Sequence, residues 1–183
     1  MQVHETEIPA VKVITPKKFG DHRGFFSEVY NRRQFADAGI DLNFVQDNHS
    51  LSVERNVVRG LHFQIPPYAQ DKLVRVISGA ILDVAVDLRR DSPTFGKHVK
   101  IELSANNFQQ VLVPVGFAHG FVTLEPNTEV LYKVTNYYAP DHDRGVLWND
   151  PDLGIDWSVD PDNAVISDRD REWPYWRDLA NNF

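Results

Sequence analysis

Cysteine is absent from this 183-residue chain, which excludes disulfide bonds and thiolate chemistry and permits a reducing compartment. Positive charge is in deficit. Lys and Arg number 19 against 26 Asp and Glu, a formal net charge of −7. Sequence-independent binding to DNA or RNA relies on a basic surface, so no nucleic-acid partner is expected. An anionic small molecule stays compatible, because a few local Arg and Lys hold it against the global field. No apolar run approaches the roughly 18 residues of a bilayer-spanning helix, and residues 1–16 lack the basic-then-apolar pattern of a signal peptide. No membrane partner and a cytoplasmic location are the expectation. Helical patterns are scarce too. Residues 31–38 form the clearest one, with Asn31 as N-cap and Gly39 as the stop, and the charged, aromatic segment after Ser167 reads as a terminal helix or an irregular tail.

What is present suits one domain spanning residues 1–183, since 42% of residues are hydrophobic and the length supports one real core. Eleven Phe, six Tyr and four Trp are available to fill a barrel or line a ligand site, and eleven Pro with ten Gly imply many turns. Apolar runs of strand length fall at residues 11–14, 25–30, 57–63, 73–77, 81–88, 99–103, 109–113, 119–124, 129–136 and 145–148. The clearest period sets Leu82, Val84, Val86 and Leu88 against Asp83, Ala85 and Asp87, a strand with one apolar face. About ten short strands with almost no helix predict an all-β closed barrel or jelly roll. Such folds expose edge strands unless they close or pair with another subunit, so a homodimer is expected.

Two histidines sit in unusual settings. His62 interrupts the apolar strand 57–63 together with Arg59, and His119 is flanked by Gly and aromatic residues. Each is either a buried imidazole bonded to a backbone carbonyl or a functional group. A jelly-roll metal site wants two His two apart followed by an acid. Here Gln64 stands two beyond His62 and no acid follows before Asp71, which argues against a metal and leaves His62 free to move protons. A proton-moving His needs a carboxylate behind it. Asp170 is a candidate, although composition does not separate it from Asp168, and both read equally well as a solvated charge run. Tyr132 shares a strand face with Val130 and Val134, either as core or as a hydroxyl aimed inward. Lys72 opens a strand and is either solvated or drawn into a cavity to polarise a ketone. Arg23, Glu28, Gln46, Asn48 and Arg59 are scattered polar residues in apolar surroundings, and converging arginines suit a diphosphate. Strict alternation puts Arg59 and His62 on opposite faces unless the strand is perturbed at Gly60.

These residues and their neighbours resemble the dTDP-4-dehydrorhamnose 3,5-epimerase family, of the cupin-like jelly-roll class. The likeness is carried by Arg59-Gly60-Leu61-His62-Phe63-Gln64, by Pro114-Val115-Gly116-Phe117-Ala118-His119-Gly120-Phe121, and by segments 19–26, 44–50, 70–75, 83–87, 92–96, 131–138 and 147–150. It spans roughly residues 19–170 in the family's order. The resemblance implies a cupin-like double-stranded β-helix with few short helices and an isomerase with no metal or redox cofactor. It also implies a dTDP-linked 4-keto-6-deoxyhexose as substrate, in the making of dTDP-rhamnose for surface polysaccharide. His62 corresponds to the general base, Asp170 to its carboxylate, Tyr132 to the acid on the other ring face, and Lys72 to the group near the C4 oxygen. Arg23, Glu28, Gln46, Asn48, Arg59, His119, Asp143 and Arg169 fall where the family contacts the nucleotide-sugar, and Tyr138 where an aromatic ring stacks on thymine. The family often has Glu at the place of Asp143 and usually Lys at that of Arg169.

The chemistry suits these residue types. Protons on C3 and C5 are acidic because the C4 ketone delocalises the carbanion, so catalysis needs a base, a donor on the opposite face and positive charge at the C4 oxygen. Three alternatives stay open at this level: an epimerase acting at one carbon only, a non-catalytic nucleotide-sugar-binding barrel, and a metal-dependent cupin.

Overall fold

The structure, a computed structural model, describes residues 1–180 and residue 183. Along the chain run β1 (Gln2–Glu5), β2 (Lys12–Thr15), β3 (Phe19–Asp21), β4 (Gly24–Phe26), α1 (Arg32–Asp37), β5 (Gln46–Ser52), β6 (Val57–Gln64) and β7 (Lys72–Ser78). These are followed by β8 (Ala80–Asp87), β9 (His98–Ser104), β10 (Gln110–Val113), β11 (Phe117–Thr123), β12 (Thr128–Val134), β13 (Asp143–Gly145), β14 (Val165–Ile166) and α2 (Asp168–Arg171). Two sheets face each other. One has the order β1-β2-β10-β7-β12-β5 and the other β13-β6-β11-β8-β9, with β14 joining β6 in parallel. This is the expected cupin-like jelly roll with few short helices.

Between the sheets lies one apolar cluster. Val74 and Val76 of β7, Ile81 and Ala85 of β8, Phe117 and Phe121 of β11 and Val130 of β12 meet there. Each sheet is also covered on its outer face. Phe35 of α1 and Ile40 pack on Ile14, Leu73 and Leu112 of the first sheet. Val146, Trp148, Leu153 and Trp157 pack on Val58, Leu61, Phe63, Val84 and Val86 of the second. The alternation in β8 therefore reads differently from its simplest expectation. Its apolar face, with Val84, Val86 and Leu88, packs beneath the C-terminal segment, whereas Asp83 sits on the face that also presents Ile81 and Ala85 to the interior, where it is fully buried.

Several expected elements form close to their expected places. Asn31 caps α1 by accepting from the Arg33 and Gln34 amides, and Gly39 ends it at φ +82°. The expected strand 25–30 shrinks to the second arm of the exposed hairpin β3–β4, and the expected strand 145–148 is displaced to β13. β1 and β5 carry no expectation from the pattern. β5 is polar along its length, with Gln46, Asn48 and Ser50 alternating with more exposed residues. Its periodicity is intact, but the sheltered face is hydrophilic, so a search for apolar alternation passes over it.

Candidate active site

The apolar interior stops short of one end of the barrel. There the two sheets line a cleft. One chamber, about 270 Å³, is bounded by Ser50, Arg59, His62, Lys72, Val74, His119, Phe121, Tyr132, Ser167, Arg169 and Asp170. A second, about 290 Å³, is bounded by Gln46, Asn48, Gln64, Gln70, Tyr138 and Asp143 among others. Both chambers share His62, Lys72, Tyr132 and Arg169, so they are parts of one space. Its floor is split between the sheets: His62 and His119 come from β6 and β11, and Lys72 and Tyr132 from β7 and β12.

Arg59 and His62 share the cleft despite their odd spacing, because β6 carries one extra residue. His62 is opposite His119 and Arg59 is opposite Phe121, so three steps on β6 match two on β11. The extra residue is Gly60, at φ +121°. A Cβ there would lie 2.6 Å from Gly120 Cα, so the close approach of the two backbones requires glycine.

His62 Nε2 lies 2.6 Å from Asp170 Oδ1, and Asp170 is only 4% exposed. Burial pushes the Asp170 carboxyl up, but the His62 hydrogen bond and charge, the Gly60 N–H and the Trp173 indole outweigh it and hold the group below the usual carboxylate range. Asp170 is therefore ionised and accepts from Nε2–H, which leaves His62 Nδ1 as the nitrogen able to take a proton. Ser167 caps α2 by accepting from the Asp170 amide, which fixes the start of the four-residue turn. So short a helix is not stable alone. Anchorage comes from the preceding segment, where Trp148, Leu153 and Trp157 each contribute roughly 2–3 kcal/mol on burial. The neighbouring Asp168 is exposed, which resolves the ambiguity between the two acids.

Across the cleft, burial pushes the Tyr132 phenol up from its ordinary value, with Arg59 drawing it partly back. Desolvation brings the Lys72 ammonium down to about 8 against the opposing pull of Asp143 and Asp83. His119 forms a second imidazole–carboxylate pair beside the first, with Nε2 2.8 Å from the fully buried Asp83. Asp83 Oδ1 has no hydrogen-bond partner among the described residues, and Asp83 is one of the two acids that pull on Lys72. Arg59 is braced by the Ser52 hydroxyl and the Leu51 carbonyl.

At the outer chamber Gln46 donates to Asn48 and accepts from the Tyr138 amide, while Gln64 holds the loop at Tyr68, Tyr137 and Ala139. Tyr138 is half exposed at the rim, and its hydroxyl donates to Asp143, which also accepts from Arg169. The shorter acid and the forked cation that depart from the resembled pattern thus meet one another. Arg23 and Glu28 are not among the residues lining the cleft. Arg23 is exposed on the β3–β4 hairpin and paired with Asp21, and Glu28 accepts from Asn31 and Gln34 at the start of α1. Sequence reasoning passed over Ser50, Gln70, Ser167 and Trp173. Ser50 carried a signal only as a polar residue at a sheltered strand position, Gln70 only as a polar residue in the loop before β7, and Trp173 carried none.

The chain matches the sequence family described as dTDP-4-dehydrorhamnose 3,5-epimerase over residues 5–178. A Shigella flexneri dTDP-4-dehydrorhamnose 3,5-epimerase is 51% identical over 171 residues, covering 93% of each chain. The crystal structure of the Bacillus anthracis dTDP-4-dehydrorhamnose 3,5-epimerase, with TDP and PPi bound, superposes with a TM-score of 0.92 at 53% identity. The match covers 95% of this chain and 98% of that one. The Legionella pneumophila dTDP-6-deoxy-D-glucose-3,5-epimerase, in complex with dTDP-4-keto-L-rhamnose, gives a TM-score of 0.92 at 40% identity, over 97% and 94% of the two chains.

Proposed function

The chain belongs to the dTDP-4-dehydrorhamnose 3,5-epimerase family, and from that membership we propose that it inverts C3 and C5 of dTDP-4-dehydro-6-deoxyglucose to give dTDP-4-dehydro-L-rhamnose. One observation carries the reading: a carboxylate-backed imidazole on one sheet and a partly buried phenol on the other line the same cleft, with an ammonium beside the phenol. A pure binding site needs no such matched pair.

His62 Nδ1 takes the proton from C3 or C5, and the C–H electron pair delocalises onto the C4 oxygen as an enolate. The Lys72 ammonium stabilises that oxygen's charge in a desolvated site, where it counts for more than in water. Asp170 stabilises the imidazolium. Tyr132 returns a proton to the opposite face, the electron pair goes back to carbon, and the ketone re-forms inverted. Each event leaves an imidazolium and a phenolate, which one proton exchanged through solvent resets. Arg59, His119 and Arg169 supply positive or donor groups for the sugar and diphosphate, and Tyr138 at the rim offers its ring to the base.

The test is incubation in heavy water followed by NMR of the product. Deuterium should enter both C3 and C5. His62→Ala should lose exchange at both by about three orders of magnitude or more while still binding dTDP, and Tyr132→Phe should cut product formation while leaving some washout. Exchange at C3 alone would make the enzyme a one-carbon epimerase. Binding without exchange in the wild-type protein would leave only a nucleotide-sugar binder.

We also propose a homodimer. Its support is the exposed hairpin β3–β4, where Phe19, Phe25 and Phe26 are 53–66% exposed, together with the position of Arg23 and Glu28 outside their own cleft. Apolar rings held out on a hairpin are costly to leave in water and suit a second copy.

A further inference from the structure

Trp173 takes no part in the scheme above, yet it touches three of its members. Its indole N–H donates to Asp170 Oδ1 at 3.2 Å, the same oxygen that receives His62 Nε2 at 2.6 Å. Its ring meets the His62 imidazole edge-on, with centroids 5.9 Å apart and planes at 69°. The Arg169 guanidinium lies over the Trp173 ring, 5.1 Å from its centroid. Room for the indole is made at β13, where a Cβ on Gly145 would fall 2.4 Å from two ring atoms.

We infer that Trp173 is a positioning residue for the His62–Asp170 pair: by sharing the carboxylate oxygen it fixes the carboxylate plane and limits how strongly Asp170 holds a proton on His62. The inference rests on the reading of His62 as the base. Asp170 Oδ2 is already engaged by the Gly60 amide. Among the described residues His62 and Trp173 are the side chains that donate to Oδ1, so the two compete for one acceptor. Every donor added to a carboxylate lowers its basicity and hence its stabilisation of a neighbouring imidazolium. The indole thus favours neutral His62, the form that accepts a proton. Stacking of Arg169 on the same ring links the base to the cation that pairs with Asp143 in the cleft.

Other charged and titratable groups also face His62. Arg59 comes from its own strand, His119 with Asp83 behind it from β11 and β8, and Lys72 and Tyr132 from the opposite sheet. Asp143 and Arg169 close the side toward β13 and α2. All are retained when Trp173 is replaced by Phe, so a change in His62 titration reports the lost N–H.

The experiment is an NMR titration of the His62 imidazole in the full, substrate-free protein, alongside the pH profile of kcat/KM. Trp173→Phe should raise the His62 pKa by roughly half a unit to one unit. The acid limb of the profile should follow, cutting the rate several-fold below the limb and less than about two-fold on the plateau. Gly145→Ala, which pushes the indole aside without altering it, should produce a shift of the same sign and keeps the test available if Trp173→Phe does not fold. An unmoved imidazole titration with a loss equal at every pH would overturn the inference and reduce Trp173 to packing. A moved titration that the pH profile ignores would instead remove His62 as the base, leaving the coupling of indole and imidazole intact.

Discussion

At the scale of single residues, Lys72 shows how function and stability oppose each other. Its ammonium is drawn into the cleft and desolvated, which brings its pKa down to about 8 from 10.5. Between those two values the unfolded chain holds a proton that the folded one has released, so folding stability contributed at this site rises with pH across that window. Activity runs the other way, because an uncharged amine no longer balances an enolate. The rate should therefore decline as pH rises through about 8, read from the alkaline limb of kcat/KM. Lys72→Met should remove that decline along with most of the activity, and should raise stability at pH 7 by on the order of 1–3 kcal/mol, measured by urea denaturation. Asp170 has the opposite sign: held below the ordinary carboxylate range, it contributes stability above that range, which is lost as pH falls through its depressed value. Residue identities at the cleft were legible where the type itself is unusual, as with His62 and Tyr132 inside apolar strands. The residues alone left Asp170 as one of two acids; the family resemblance pointed to it, and burial with the His62 contact separates it from exposed Asp168.

At the scale of elements, the site depends on a defect in a ladder. Gly60 interrupts β6 with one extra residue, turns Arg59 onto the His62 face and offers its amide to Asp170. Gly60→Ala places a Cβ against Gly120 backbone at a φ that side chains rarely adopt. It should cost about 2–4 kcal/mol of stability by urea denaturation, and raise KM, since Arg59 leaves the cleft. An unchanged denaturation midpoint would mean that the two strands separate easily there. The strands β7, β8, β11 and β12 were readable because each is an apolar run of strand length bounded by turn residues, even where both faces are buried, as in β8 and β11. β5 was not, since its sheltered residues face substrate space instead of core, and β1 was too short and too exposed to show a period.

At the scale of the whole molecule, the residues outside the cleft matter most. If Arg23 and Glu28 act at substrate, they do so from a second copy, because their own chain holds them on an exposed hairpin and at a helix start. Refolding equal amounts of inactive Arg23→Ala and inactive His62→Ala chains together should then restore about a quarter of wild-type activity, as half the dimers are mixed and each has one intact site. No recovery, with sedimentation giving dimers, would confine each site to one chain. A monomer in sedimentation would remove the dimer itself.

The sequence by itself determined the class of fold and the chemical types available, because hydrophobic period and turn residues act locally and because residue type fixes side-chain chemistry, while the use of each imidazole, phenol and ammonium stayed open between core, solvent and catalysis until the resemblance assigned it. Tertiary structure alone decided how the acid that the resemblance indicated meets the imidazole, how Arg59 reaches its face, and that an indole shares the carboxylate. Those are contacts between groups up to 110 residues apart, set by strand register and by burial, and neither quantity is encoded in any short stretch of chain.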